Sequence, residues 1–174
     1  MGALERDDFV HTGPGTLAGR YLRRFWQPIY VSAELPEGKI VPIKILGEEL
    51  ALYRGESGTP RVIANECPHR LSVLNTGWIE GETIRCRYHG WRFDESGGCV
   101  EQPGEPRPFC HKVPRLASYP TYEVHGLIFA YFGEGDPPTF APLPGLEEGV
   151  GENWTVNPSA EMIPCNYFQS GENI

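Results

Sequence analysis

This 174-residue sequence contains no apolar run approaching the ~20 residues of a membrane-spanning helix, so no membrane association is expected. Nor does it open on a hydrophobic stretch. Glu5, Arg6, Asp7 and Asp8 stand where an export signal would be apolar, and none is read. Basic residues are in short supply: 15 Lys and Arg against 23 Asp and Glu leave a net charge of −8. That balance disfavours nucleic acid and anionic membranes as partners. Cysteine is sparse and odd in number, five in all, which argues against a disulfide framework and for a reducing cytoplasm. Helical periodicity is missing between the first 26 residues and the C-terminus. What abounds is Gly (21) and Pro (17), a composition suited to a loop-rich β domain. The length fits one domain, or one and the beginning of another.

Gly13-Pro14-Gly15 predicts a turn, and Thr16 a cap for a short helix running to about Trp26. Leu17, Tyr21, Leu22, Phe25 and Trp26 form its apolar face, expected to pack on the domain, with Arg20, Arg23 and Arg24 in solvent. Strands are expected over 28–32, 40–46, 49–53 and 60–65, with Gly47 in a tight turn. Residues 77–84 read as a turn and a return strand, and Trp91 and Phe93 alternate so that at least one faces the core. Residues 95–120 are punctuated by Pro and Gly, as an irregular crossing. The apolar run 126–133 predicts a central strand, with His125 hydrogen-bonding at its end. Residues 134–152 have the composition of a linker. Beyond it, 154–157 and 161–164 are strand-like, and 166–174 open a helix.

Within the β region stand two short loops, Cys67-Pro68-His69-Arg70 and Cys86-Arg87-Tyr88-His89-Gly90-Trp91, each offering one thiolate and one imidazole. With five Cys and five His in the chain, four at one fixed spacing arise by chance at roughly one in a million starting positions. Two metal centres fit this donor set. A structural zinc takes two thiolates and two imidazoles tetrahedrally, but usually draws paired Cys from one loop and paired His from another. A Rieske [2Fe–2S] cluster puts two Cys on one iron and two His on the other. Here each loop carries one of each, so two loops can clamp a two-iron unit, each giving one ligand to each iron. The two-iron reading leads; a zinc-stapled interaction module stays open. Cys99, Cys110 and His111 could form a second metal site, but small thiols and a surface imidazole are the plainer expectation.

The two loops, with Arg92-Phe93-Asp94, Gly97, Val100 and Gln102-Pro103-Gly104-Glu105-Pro106 beyond them, resemble the Rieske motif of ring-hydroxylating oxygenase α subunits of the phthalate and vanillate type. The family often has Gly where this chain has Leu71. Neither loop has the second Cys that clips the loops in respiratory Rieske proteins. The resemblance implies an all-β fold: an antiparallel β-sandwich with an inserted cluster-binding subdomain and one short N-terminal helix. It implies an N-terminal arm and helix at 1–26, a Rieske domain at 27–133 with its cluster-binding part at about 65–110, and a linker at 134–152. Residues 153–174, with Cys165-Asn166-Tyr167-Phe168 near their end, resemble the start of a helix-grip catalytic domain. The sequence stops before that domain's Asp and His residues, so a chain truncated before its catalytic part is expected.

The cofactor implied is a Rieske [2Fe–2S] cluster on Cys67, His69, Cys86 and His89, with mononuclear Fe(II) only in the missing domain. Two ferric ions, two sulfides and two thiolates sum to zero charge, which eases reduction; Rieske potentials lie at about −150 to +300 mV against about −400 mV for plant-type clusters. The implied function is electron transfer, as part of an aromatic-ring hydroxylase or demethylase; a stand-alone Rieske ferredoxin is the alternative. A flavin reductase or ferredoxin is the implied donor, with neighbouring oxygenase subunits in a homotrimer. His69 and His89 are expected to form the electron exit, with Tyr88 and backbone amides hydrogen-bonding the sulfurs. Core packing is expected of Trp91.

Overall fold

A computed structural model describes residues 9–141, 156–161 and 163–171. Among the described residues, eleven strands form three antiparallel sheets, and two short helices flank them. β1 (Trp26–Val31), β11 (Leu127–Tyr131) and β10 (Thr121–Val124) make the first sheet, with β11 in the middle as expected of the most apolar run. β2 (Ile40–Ile45), β3 (Glu48–Arg54), β4 (Pro60–Ala64) and β9 (Ser118–Tyr119) make the second. β5 (Trp78–Glu80), β6 (Thr83–Arg85), β7 (Arg92–Phe93) and β8 (Cys99–Glu101) make the third, inserted between the paired strands β4 and β9.

β3 explains how the layers cohere. Its side chains are buried on both faces, so period-two alternation sends them into two cores. Leu50 and Leu52 join Ile43, Val62, Ile128 and Ala130 between the first two sheets. Ala51 and Tyr53 join Ile63, Ile84, Phe93, Cys67 and Cys86 between the second sheet and the insertion. The Tyr53 hydroxyl donates to the Glu82 carbonyl at 3.1 Å, tying the β5–β6 turn to the second sheet.

The helix differs from expectation. α1 spans only Leu17–Leu22, and its buried residues are Ala18 and Gly19, while Leu17, Tyr21 and Phe25 are exposed. Thr16 caps it as predicted, accepting from the Gly19 N–H. Arg23 ends it: its guanidinium pairs with Glu48 at 2.5 Å and donates to the Leu46 carbonyl. Trp26 is drawn into β1 opposite Tyr131, so tertiary pairing overrides the helical period. The irregular crossing at 95–120 contains β8 and β9, and β10 follows it; strands of two to four residues show too little alternation to be read. His125 sits in the β10–β11 turn at φ 50°, and its buried Nε2 makes no hydrogen bond among the described residues, so the expected strand-end bond is absent.

Past β11, Phe140 packs on Trp26, Tyr122 and Phe129, and the Trp26 indole donates to the Pro138 carbonyl. No strand forms among the described residues of 154–157 and 161–164; Trp154, Thr155 and Met162 lie outside them. The expected C-terminal helix is α2 (Tyr167–Gly171). It folds back on the N-terminal arm: Phe168 stacks on Phe9, and the Tyr167 hydroxyl donates to the Phe9 carbonyl.

Gly77 precedes β5, and a methyl group there would lie 1.9 Å from the carbonyl oxygen of Arg85, one residue before Cys86. Gly77→Ala is expected to cost about 2 kcal/mol or more of stability, read from urea unfolding, whereas Gly104→Ala, with open space at its Cβ, should leave the midpoint within error.

Candidate metal centre

β4 delivers the first loop and β6 the second, and the two loops share one backbone plan. The Cys67 N–H donates to the Ser72 carbonyl and the Leu71 N–H to the Cys67 carbonyl, at 2.9 and 2.8 Å. In the second loop the Cys86 N–H donates to Trp91 and the Gly90 N–H to Cys86, at 2.8 and 3.0 Å. The fifth position of each loop takes the left-handed conformation, φ 55° at Leu71 and 76° at Gly90. Gly90 also lies so close to Pro103 that a Cβ would meet its ring at 2.8 Å. Leu71 has no such contact to avoid and stands 67% exposed.

These cradles bring all four predicted residues together, sorted by element. Cys67 and Cys86 are each 1% exposed and sit together in the core of the insertion. Burial pushes the Cys67 thiol up to about 11, although its sulfur accepts from the backbone amides of His69 and Arg70, which oppose that shift. The imidazoles lie on the outer side, His89 exposed and His69 partly so, with ring centroids 4.5 Å apart and planes at 63°. Desolvation, then His89 and Arg70, lower the His69 pKa. Its Nδ1 is buried without a hydrogen-bond partner among the described residues. No three described His, Cys, Asp or Glu side chains converge on a point that a single metal ion could fill. Two sulfurs together and two imidazoles together suit a two-iron unit with an iron on each side; a tetrahedral zinc needs all four at one point.

Trp91 is buried in the core and also lies parallel to His69, ring centroids 4.5 Å apart at 1°. Among the described residues Tyr88 makes no hydrogen bond to a cysteine sulfur; it is exposed, with its ring 3.9 Å from that of His89. Two positioning features escaped the sequence reading. The side chain of buried Asn65, two residues before Cys67, donates to the Asn75 side-chain oxygen and accepts from the Asn75 backbone N–H across the first loop. Arg85, next to Cys86, donates to the Gly90 carbonyl at 2.7 Å while paired with Glu80 and Glu101. Glu80, Arg85, Arg92 and Glu101 come from β5, β6, β7 and β8, and two acids flanking two arginines on successive strands were the available signal.

The model of the Rieske [2Fe–2S] domain matches residues 25–122. The chain belongs to the Rieske family. It is 36% identical over 99% of its length to the 5,5'-dehydrodivanillate O-demethylase oxygenase subunit of Sphingobium sp. (strain NBRC 103272 / SYK-6), covering 41% of that protein. It is 42% identical over 92% of its length to the phenoxybenzoate dioxygenase subunit alpha of Ectopseudomonas oleovorans, covering 42% of it. Among solved structures it superposes, with a TM-score of 0.60 and 33% identity, on a chain of the reduced complex between oxygenase and ferredoxin in carbazole 1,9a-dioxygenase, over 67% of this chain and 30% of that one. The Rieske chain thus spans less than half the length of these relatives. The family brings with it a [2Fe–2S] cluster and one-electron transfer.

Leu71 should be replaceable to advantage. The left-handed conformation costs a non-glycine residue about 1–2 kcal/mol, and glycine's added chain entropy returns about 0.5–1 kcal/mol of that. Leu71→Gly is expected to stabilise by about 0.5–1 kcal/mol and Leu71→Val to destabilise, both read from denaturant midpoints. Acid should loosen the charged network. Arg85, then the Trp78 indole, hold the Glu80 carboxyl down at about 2. A depressed carboxyl stabilises above its unfolded pKa of about 4.3, and the contribution is lost as pH falls toward about 2. The stability gap between the natural chain and Glu80→Gln, followed by urea midpoint against pH, should therefore close across that window.

Proposed function

We propose that Cys67 and Cys86 hold the inner iron and His69 and His89 the outer iron of the Rieske cluster, and that the chain relays single electrons within an aromatic-ring-hydroxylating or O-demethylating oxygenase. The observation that carries this reading is the sorting of the four side chains, sulfurs buried together and imidazoles outward together. When bound, the cluster supplies reversible one-electron transfer at a neutral core. The residues do the rest. The amides of His69 and Arg70 stabilise charge on the Cys67 sulfur, Trp91 fixes the plane of the His69 ring, and the exposed His89 edge presents the electron exit to a partner.

The oxygenase setting draws support from similarity that runs through α1 and the segment after β11, both beyond the residues matched by the domain model. A stand-alone ferredoxin would have little use for either. A ferredoxin or a flavin reductase is the proposed donor. The proposed acceptor is a mononuclear iron in a neighbouring subunit of a homotrimer, and the substrates are aromatic or similar small organic molecules. No helix among the described residues is long and apolar enough to cross a membrane, and all five cysteines are free thiols, which fits the proposed cytoplasmic setting.

The purified chain should be red-brown, contain about two iron and two acid-labile sulfide, and when reduced give a rhombic low-temperature EPR signal at a potential near about −150 mV. His89→Cys should keep an iron–sulfur centre with a potential on the order of 100 mV lower. Zinc as the sole stoichiometric metal, or an unchanged potential in that variant, overturns the assignment.

A further inference from the structure

Two cysteines of the insertion lie outside the candidate metal centre, and its chemistry leaves them unused. Cys99 opens β8 and Cys110 opens a 3-10 turn at Cys110–Lys112, yet their sulfurs are 3.2 Å apart. Both are free and partly exposed. Among the described residues neither joins a group of three His, Cys, Asp or Glu able to share a metal ion, so the pair makes no second metal site. The loop between them is already closed: the Gln102 side-chain oxygen accepts from the Phe109 N–H at 2.5 Å. Phe109 in turn packs edge-on against Trp91, at 5.6 Å between ring centroids.

We propose that Cys99 and Cys110 are a disulfide-forming modification site, oxidised by exchange with a low-molecular-weight disulfide of the glutathione type. Cys110, flanked by exposed Phe109, His111 and Lys112, loses its proton and attacks one sulfur of the reagent. A mixed disulfide forms, and the expelled thiolate takes up that proton. Cys99 then attacks the Cys110 sulfur and releases the second thiol. Two electrons and two protons leave the protein pair, and one reagent disulfide becomes two thiols. Burial pushes the Cys99 thiol up to about 12, which keeps its thiolate scarce, so the second step relies on the 3.2 Å approach of the two sulfurs. The bond locks the 99–110 loop, and with it the aromatic contact one ring removed from His69.

The test incubates the cluster-loaded chain with oxidised glutathione, alkylates remaining thiols, and weighs the tryptic peptides. Both cysteines fall in one peptide, Phe93–Lys112, because Arg107 precedes Pro108. That peptide should be lighter by two hydrogens and carry neither glutathione nor alkyl group, while exposed Cys165 keeps a glutathione adduct. Cys99→Ser should leave a lasting glutathione adduct on Cys110. A natural-sequence peptide bearing two alkyl groups, or two glutathiones, overturns the proposal.

Discussion

Everything in this fold answers to one demand: two sulfurs must be kept dry and two imidazoles wet within the space of a few ångströms. A loop with only side-chain contacts would not hold that arrangement. Each cradle is instead closed by backbone bonds, from the Cys N–H to the carbonyl five residues on and back to the Cys carbonyl from four residues on. Such bonds do not depend on which side chains occupy the intervening positions. The loops can therefore present different residues, Pro68 and Arg70 in one, Arg87 and Tyr88 in the other, at equivalent geometry. The same closure turns the amides of His69 and Arg70 toward the Cys67 sulfur. Charge on a buried thiolate is costly without such donors.

The sheets set the distance between the cradles. β4 feeds the first and β6 the second, and Tyr53, reaching from β3 to Glu82, fixes the hairpin that carries β6. Because β3 is packed on both faces, a shift in the sandwich core is transmitted to the insertion core. Arg85 adds little to net stability, since ion pairs to carboxylates about a third exposed gain about 1 kcal/mol. Its contribution is orientation: three of its hydrogen bonds to Glu80 and Glu101 hold the fourth on the Gly90 carbonyl.

The candidate centre was legible because its signal is local: two Cys and two His at short spacings. The strands of the sandwich were legible for a related reason, their β-branched runs being long enough to show alternation. What failed to show depended on partners remote in sequence. Trp26 looks like the end of an amphipathic helix until Tyr131 claims it for β1. β10 is Thr-Tyr-Glu-Val, four residues too few for their alternation to mark a strand, and exists because β11 offers an open edge. Arg85 and Asn65 read as a surface charge and a turn residue; only the arrival of Glu101 and Asn75 makes them loop-positioning groups. Leu71 is the reverse case. The departure from glycine was visible, yet the left-handed turn survives it, because the backbone bonds around Cys67 dictate the conformation.

Charge completes the argument for the electron-relay reading. The chain is acidic, at −8, but the sequence neighbours of the two imidazoles are basic: Arg70 follows His69, Arg87 precedes Tyr88 and His89, and both arginines are exposed, with Glu105 the acidic side chain that acts on His69. A basic rim on an acidic body would give a negatively charged redox partner one face to approach and would repel it from the others. Such complementarity raises the encounter rate more than it tightens the complex. That is what a relay needs, since a redox partner must leave after each single electron. The exposed apolar faces of Leu71 and Tyr88 beside that rim add contact area without adding charge. Encounter is thereby governed by electrostatics that salt can screen, and orientation by the imidazole edges at the centre of the patch.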